Sequence, residues 1–157
     1  MQKLIESTQI YLKKDNCFLM LYRNKKKNDM NGGKWIGVGG KIEPNETPLE
    51  GIIREVKEET GLDLKSAKLR AKLYFYNNDY GEVIYQYTSE DFEGELIDCD
   101  EGTLKWVPID QIMFLPLWEG DKEFLPLLIN EKTPYFEMDL IYKNDKFVKC
   151  SVNKSII

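Results

Sequence analysis

The chain has 157 residues, 42% of them hydrophobic and 31% charged, with a formal net charge of −5. That length and balance predict one folded domain over residues 1–157, and the negative charge excludes a broad polyanion-binding surface, so a phosphate ligand needs local cations or a metal. The sequence contains no histidine, which removes imidazole bases and imidazole metal sites and leaves carboxylates and metal-bound water for proton chemistry.

Cys17, Cys99 and Cys150 are scattered, with no CxxC spacing, which argues against a disulfide framework or a zinc site and fits a reducing cytoplasm. The start of the chain shows no basic segment followed by an apolar run, and no stretch approaches a membrane span. A cytoplasmic location without a membrane partner is the expectation.

In chain order, Gln2 to Leu12 and Cys17 to Tyr22 read as two strands joined by a turn at Lys13 to Asn16. A polar, basic loop from Arg23 to Asp29 follows and runs on to Gly32 and Gly33. Its lysines read as solvated. Arg23 closes an apolar strand, and its guanidinium fork suits a phosphate. Trp35 to Lys41 is glycine-rich, letting backbone approach a ligand and expose amides and carbonyls.

The stretch Gly40 to Leu62 reads as a loop and a helix. Thr47, Pro48 and Glu50 form an N-cap, a first-turn proline and the acid of a capping box, and Gly61 forms a C-cap. Leu49, Ile52, Ile53 and Val56 make an apolar stripe for the core, with Glu55, Glu58 and Glu59 in a sector roughly 120° away. Three carboxylates this close raise one another's pKa unless cations offset them. They form either an acidic solvated face, partly neutralised by Arg54 and Lys57, or oxygen ligands for Mg²⁺ or Mn²⁺.

Lys68 to Tyr76 and Glu82 to Thr88 read as strands around a turn at Asn77 to Gly81. Tyr74 and Tyr76 share one side and either pack on the sheet or line a base pocket. After the acidic segment Phe92 to Glu101, the pattern predicts a strand at Thr103 to Val107, a short helix at Pro108 to Met113 and a longer one at Glu119 to Asn130, interrupted near Pro126. Tyr135 to Tyr142 and Lys146 to Val152 form a closing hairpin.

Gly40, five residues, Glu46, seven residues and then Arg54-Glu55-Val56-Lys57-Glu58-Glu59-Thr60-Gly61-Leu62 match every defined position of the Nudix hydrolase signature. The chain resembles that family over nearly its whole length. The resemblance implies an α/β fold, an α/β/α sandwich with a central mixed β-sheet and the loop–helix motif packed against it. It also implies hydrolysis of a nucleoside diphosphate linked to another group, with Mg²⁺ or Mn²⁺ as cofactor. By the same resemblance, Glu55, Glu58 and Glu59 are metal ligands, joined by the Gly39 carbonyl. Arg54 orients the carboxylates, Gly40, Glu46 and Gly61 hold the motif's geometry, and Lys41 and Arg23 contact phosphates. Glu101 matches a distant glutamate that serves some members as a further ligand or as the base, and its plain alternative is a surface acid.

GKWIGVGGKIE, EGTLKWVPIDQI and LPLWEGDKEFLPLL resemble in particular the MutT-type 8-oxo-dGTP diphosphatases, which keep oxidised purines out of DNA. Trp118, Asp121 and Phe124 match base-binding positions of that group. Two positions depart from its base-reading pattern: Gly120 replaces an acid, and Ile36 replaces an asparagine. The expected partner is therefore a nucleoside triphosphate and no nucleic acid, the protein itself being a monomer or homodimer. The alternatives are a broader pyrophosphatase acting on other (d)NTPs, dinucleoside polyphosphates or ADP-ribose, and a non-catalytic nucleotide-binding module.

Overall fold

A computed structural model describes residues 3–155. Gln2, the expected start of the first strand, lies outside the described residues. Strand β1 covers Ile5–Lys14 and β2 covers Cys17–Tyr22. Asp15 and Asn16 join them with φ of 51° and 60°, the conformation of a two-residue hairpin whose twist matches the flanking strands.

The glycine-rich segment is more regular than expected. It forms β3 (Trp35–Ile36) and β4 (Val38–Lys41), with β4 antiparallel to β1 from Ser7↔Lys41 to Ile10↔Val38. Then come α1 (Pro48–Thr60), β5 (Asp63–Leu64), β6 (Lys68–Asn77), β7 (Tyr80–Ser89) and β8 (Phe92–Glu93). The chain closes with β9 (Thr103–Pro108), a 3₁₀ helix (Ile109–Phe114), α2 (Asp121–Ile129), β10 (Phe136–Lys143) and β11 (Lys146–Ser155).

The order β11-β10-β6-β7-β1-β2-β3, with β4 on β1 and β9 on β2, makes a nine-stranded sheet, and β5 and β8 form a small second one. The large sheet is mixed, because β1 runs parallel to β7 and β10 parallel to β6. Neither parallel pair has a local turn signal, so the sequence does not announce them.

Alternation along the central strands sorts their side chains onto two faces. On one face Tyr11, Phe18, Met20 and Leu73 pack with Phe124, Leu125 and Leu128 of α2. On the other, Ile10, Leu12, Leu19 and Val38 pack with Ile52 and Val56 of α1. Helices therefore cover both faces of the sheet, as the sandwich architecture requires.

Local signals define α1 well. Glu50 N–H donates to Thr47 Oγ1 at 3.1 Å and Thr47 N–H to Glu50 Oε1 at 2.9 Å, closing the capping box. Gly61 ends the helix at φ 80°, a left-handed conformation that carries little cost only without a side chain. The apolar stripe is narrower than expected. Ile52 and Val56 are fully buried, but Leu49 and Ile53 are exposed. Glu59 completes the buried face instead, because seven residues bring the helix almost back to the angle of Ile52. One carboxylate thus points inward, and the three do not share a single outer sector.

Candidate active site

The inward carboxylate organises the site. Gly39 N–H donates to Glu59 Oε2 at 3.1 Å, tying β4 to α1. Glu59 Oε1 is buried and accepts no hydrogen bond. Burial, reinforced by the neighbouring Glu101 and Glu55, pushes the Glu59 pKa far up.

Glu101 is half-buried and meets Lys26 Nζ at 2.8 Å and Arg23 Nη1 at 3.3 Å. Burial opposes its charge, but the neighbouring Glu59 carboxyl and the two cations outweigh that and hold its pKa below the usual range. This residue, ambiguous in the sequence, sits with the helix carboxylates and not alone on the surface.

Arg54 stands among four acids. Its Nε and Nη2 form a two-pronged pair with Glu46 at 2.7 and 3.0 Å, and Nη1 donates to Glu55 at 2.8 Å and Glu58 at 3.1 Å. Glu43 lies 2.8 Å from Nε, and Nη2 also donates to the Lys41 carbonyl. The Arg54 hydrogen bonds pull the Glu46 pKa down to about 2. This fork fixes the loop on the helix and orients Glu55 and Glu58 together, a task a lysine point charge does less well. A Cβ at Gly40 would lie 2.7 Å from Glu55 Oε2, so a side chain there would push the Glu55 carboxylate aside.

Among the described residues, no three acid or cysteine side chains form a ready-made metal cage. The reason is visible: Glu55 is turned onto Arg54, and Glu101 onto Arg23 and Lys26. The donor set nevertheless fits a hard divalent cation. It is all oxygen, and the buried Glu59 Oε1, bordered by Glu55 and Glu101, lacks the partner that a cation would supply.

A cavity of about 230 Å³ opens beside this cluster. Arg23, Gly39, Gly40 and Lys41 line it, together with Phe75, Trp118, Asp121 and Phe124. Asp121 keeps some accessible surface because it looks into the cavity. Burial still raises its pKa to about 7, against a smaller opposing pull from Lys34. Trp118 is held by Phe75 and Tyr142 at its edges, by Lys34 Nζ 4.4 Å above its ring, and by donation from Nε1 to Asn31 Oδ1 at 2.7 Å.

Tyr74 and Tyr76 are corrected. Neither lines the cavity; Phe75, between them, does. Side chains alternate along β6, so Leu73 and Phe75 share the α2 face while both tyrosines look to the opposite side. The apolar run Ala71, Leu73, Phe75 carries that parity, and the more conspicuous tyrosines obscure it. Asn31 also lines the cavity, from a loop in which the sequence shows no periodic signal. Of the two departures, Ile36 lines the cavity wall, and Gly120 lies against Tyr142, whose Oη would be 2.9 Å from a Cβ at that position.

The NUDIX domain family matches residues 8–128. The chain belongs to the Nudix family. It is a Nudix hydrolase acting on pyrophosphate bonds, of a kind that binds nucleotides and typically uses a divalent metal. The oxidized purine nucleoside triphosphate hydrolase of Danio rerio is 31% identical over 109 residues, 68% of this chain and 70% of the relative. The CTP pyrophosphohydrolase of Escherichia coli K12 is 27% identical over 128 residues, 80% of this chain and 90% of that one. In three dimensions this Nudix chain superimposes on the MutT protein of Bacillus halodurans with a TM-score of 0.85, at 23% identity, over 96% of this chain and 98% of that one. Among the described residues no helix is long and apolar enough to cross a membrane.

Proposed function

We propose that the chain, as one domain, is a Mg²⁺-dependent nucleoside triphosphate diphosphohydrolase that sanitises oxidised purine nucleotides, converting 8-oxo-dGTP and water to 8-oxo-dGMP and diphosphate. The observation that carries this reading is the continuity of the cavity. Its glycine and cation lining adjoins the carboxylate cluster through Gly39 and Gly40, and the same cavity offers aromatic rings and the enclosed acid Asp121. A triphosphate and a flat base need those two environments side by side. The zebrafish relative supports the same direction.

In this reading Glu55, Glu58, Glu59, Glu101 and the Gly39 carbonyl hold Mg²⁺ or Mn²⁺, which when bound neutralises the polyphosphate and lowers the pKa of a water ligand. Arg54 keeps Glu55 and Glu58 oriented, and Glu46 holds Arg54. Arg23 and Lys41 contact phosphate oxygens. For Arg23 to do so, its pairing with Glu101 must loosen, and Lys26 must also give way before that carboxylate is free to ligate or to take a proton. Trp118 and Phe124 flank the base, and Asp121 meets its polar edge.

A broader pyrophosphatase is the second reading. Ile36 in the wall and Tyr142 against Gly120 remove two polar contacts expected of an oxidised-purine pocket, and the bacterial CTP-hydrolysing relative points the same way. Product-resolved kinetics with Mg²⁺ on 8-oxo-dGTP, dGTP, dATP, dCTP and ADP-ribose separate the two. A kcat/KM preference for 8-oxo-dGTP of about a hundredfold, roughly 2.7 kcal/mol of differential transition-state binding, supports sanitation. A flat profile refutes it and leaves the broader activity.

A further inference from the structure

The segment 23–34 between β2 and β3 carries a polar group that neither the signature nor the base-binding comparison assigns. We propose that Asn31 reads the nucleobase, its Nδ2 amide donating to a carbonyl or ring-nitrogen acceptor on the base. The assignment rests on the nucleotide reading above.

Asn31 lines the cavity together with Trp118, which it touches, and Asp121. The orientation of its amide follows from its partner. An indole N–H is a donor only, and Trp118 Nε1 donates to Asn31 at 2.7 Å, so the amide oxygen must face the indole. Nδ2, with two N–H donors, is the end left for a ligand.

The residue is also fixed through its backbone. Its N–H donates to Asp29 Oδ1 at 3.1 Å, while Asp29 Oδ2 accepts from Arg23 Nε at 2.7 Å. The Asp29 side chain is only 7% exposed. It therefore positions both Arg23, a proposed phosphate contact, and Asn31. Such support costs a ligand less ordering entropy on binding than a free loop amide would.

Asn31 also answers the departures in the pattern. Ile36 gives the cavity no polar atom, and Gly120 has no side chain. An amide donor at Asn31 and the Asp121 carboxyl, both lining the cavity, complement an acceptor next to an N–H. Nucleobases present that pairing on their Watson–Crick edge: O6 beside N1–H in guanine and 8-oxoguanine, N1 beside the 6-amino group in adenine, N3 beside the 4-amino group in cytosine.

The test uses the full chain and compares wild type with Asn31→Asp and Asn31→Ser. The first still accepts the Trp118 N–H but has no donor, and the second removes the amide without adding charge. Affinities for 8-oxo-dGMP, dGMP, dAMP and dCMP are measured by calorimetry without metal, and inhibition by pyrophosphate is measured with Mg²⁺. Both variants are expected to bind the wild type's preferred nucleoside monophosphate about ten- to a hundredfold more weakly, with pyrophosphate inhibition unchanged within about twofold. Trp118→Phe, which frees the amide but keeps an aromatic ring, should weaken the same base, and its loss should be less than additive with that of Asn31→Ser. An unchanged base profile in both Asn31 variants overturns the proposal, and so does an equal loss for bases and pyrophosphate. A wild type that binds nucleoside monophosphates through Asn31 but hydrolyses no triphosphate with Mg²⁺ overturns the enzymatic reading alone.

Discussion

Asp121 places an unfavourable ionisation inside the cavity, and Asp121→Asn isolates its cost. Burial raises the carboxyl pKa from 3.8 to about 7. Between those values the folded protein holds a proton that the unfolded chain has released, so stability falls as pH rises through the window and the full cost is present above about pH 7. A tenfold change in an ionisation constant corresponds to about 1.4 kcal/mol, so the cost is on the order of 4 kcal/mol at its upper bound, with about 2 to 3 kcal/mol of it developing between pH 5 and 8. Asparagine has nearly the same shape and does not titrate. Urea unfolding at pH 5, 6, 7 and 8 should show the variant gaining on the wild type at each step up to about pH 7 and little beyond. Parallel stability curves for the two proteins would refute the reasoning, since no proton would then distinguish folded from unfolded Asp121.

Glu59→Gln should reduce Mg²⁺-dependent turnover by about a thousandfold or more while leaving the metal-free melting temperature equal or higher, because a buried acid among acids gives way to a neutral amide. Calorimetry and steady-state rates check both halves, and a variant with near-normal turnover contradicts the ligand assignment. Gly40→Ala should keep the fold but displace Glu55, costing about tenfold to a hundredfold in kcat at a melting temperature within a few degrees of wild type. Phe75→Ala should change the ranking of nucleotide substrates, whereas Tyr74→Ala and Tyr76→Ala should not; a changed ranking in either tyrosine variant would place that side chain back at the cavity. Thr47→Ala should lower unfolding free energy by about 1 kcal/mol in urea titrations without altering substrate preference.

What the sequence makes legible is what chemistry makes local. The capping box at Thr47 and Glu50, the left-handed Gly61 and the turns at Asp15–Asn16 and Asn78 depend on a few neighbouring residues and stand where expected. Pairing between distant strands is not legible: nothing within β1 states that β7 will lie parallel beside it. The same limit explains the site. The helical angle of Glu59 relative to Ile52 is readable, but it competes with the general preference of charge for water. Glu101 becomes informative only where the fold brings Arg23 and Lys26 to meet it. Asn31 belongs to an irregular loop, where no period marks which way a side chain points, and the indole partner shows how its amide is turned.

The bond from Gly39 to Glu59 joins residues twenty positions apart, and that from Arg23 to Glu101 joins residues 78 apart. Both wait on strands whose partners are remote in the chain, and such contacts form late because the intervening loops must first be closed at an entropic cost. The signature segment cut out as a peptide would keep its caps and lose its chemistry, since nothing would remain to drive Glu59 into a dry place beside other acids. The discomfort of that carboxylate is a property of the finished sheet: burial beside Glu55 and Glu101 exists only where β4, α1 and the segment carrying Glu101 have come together.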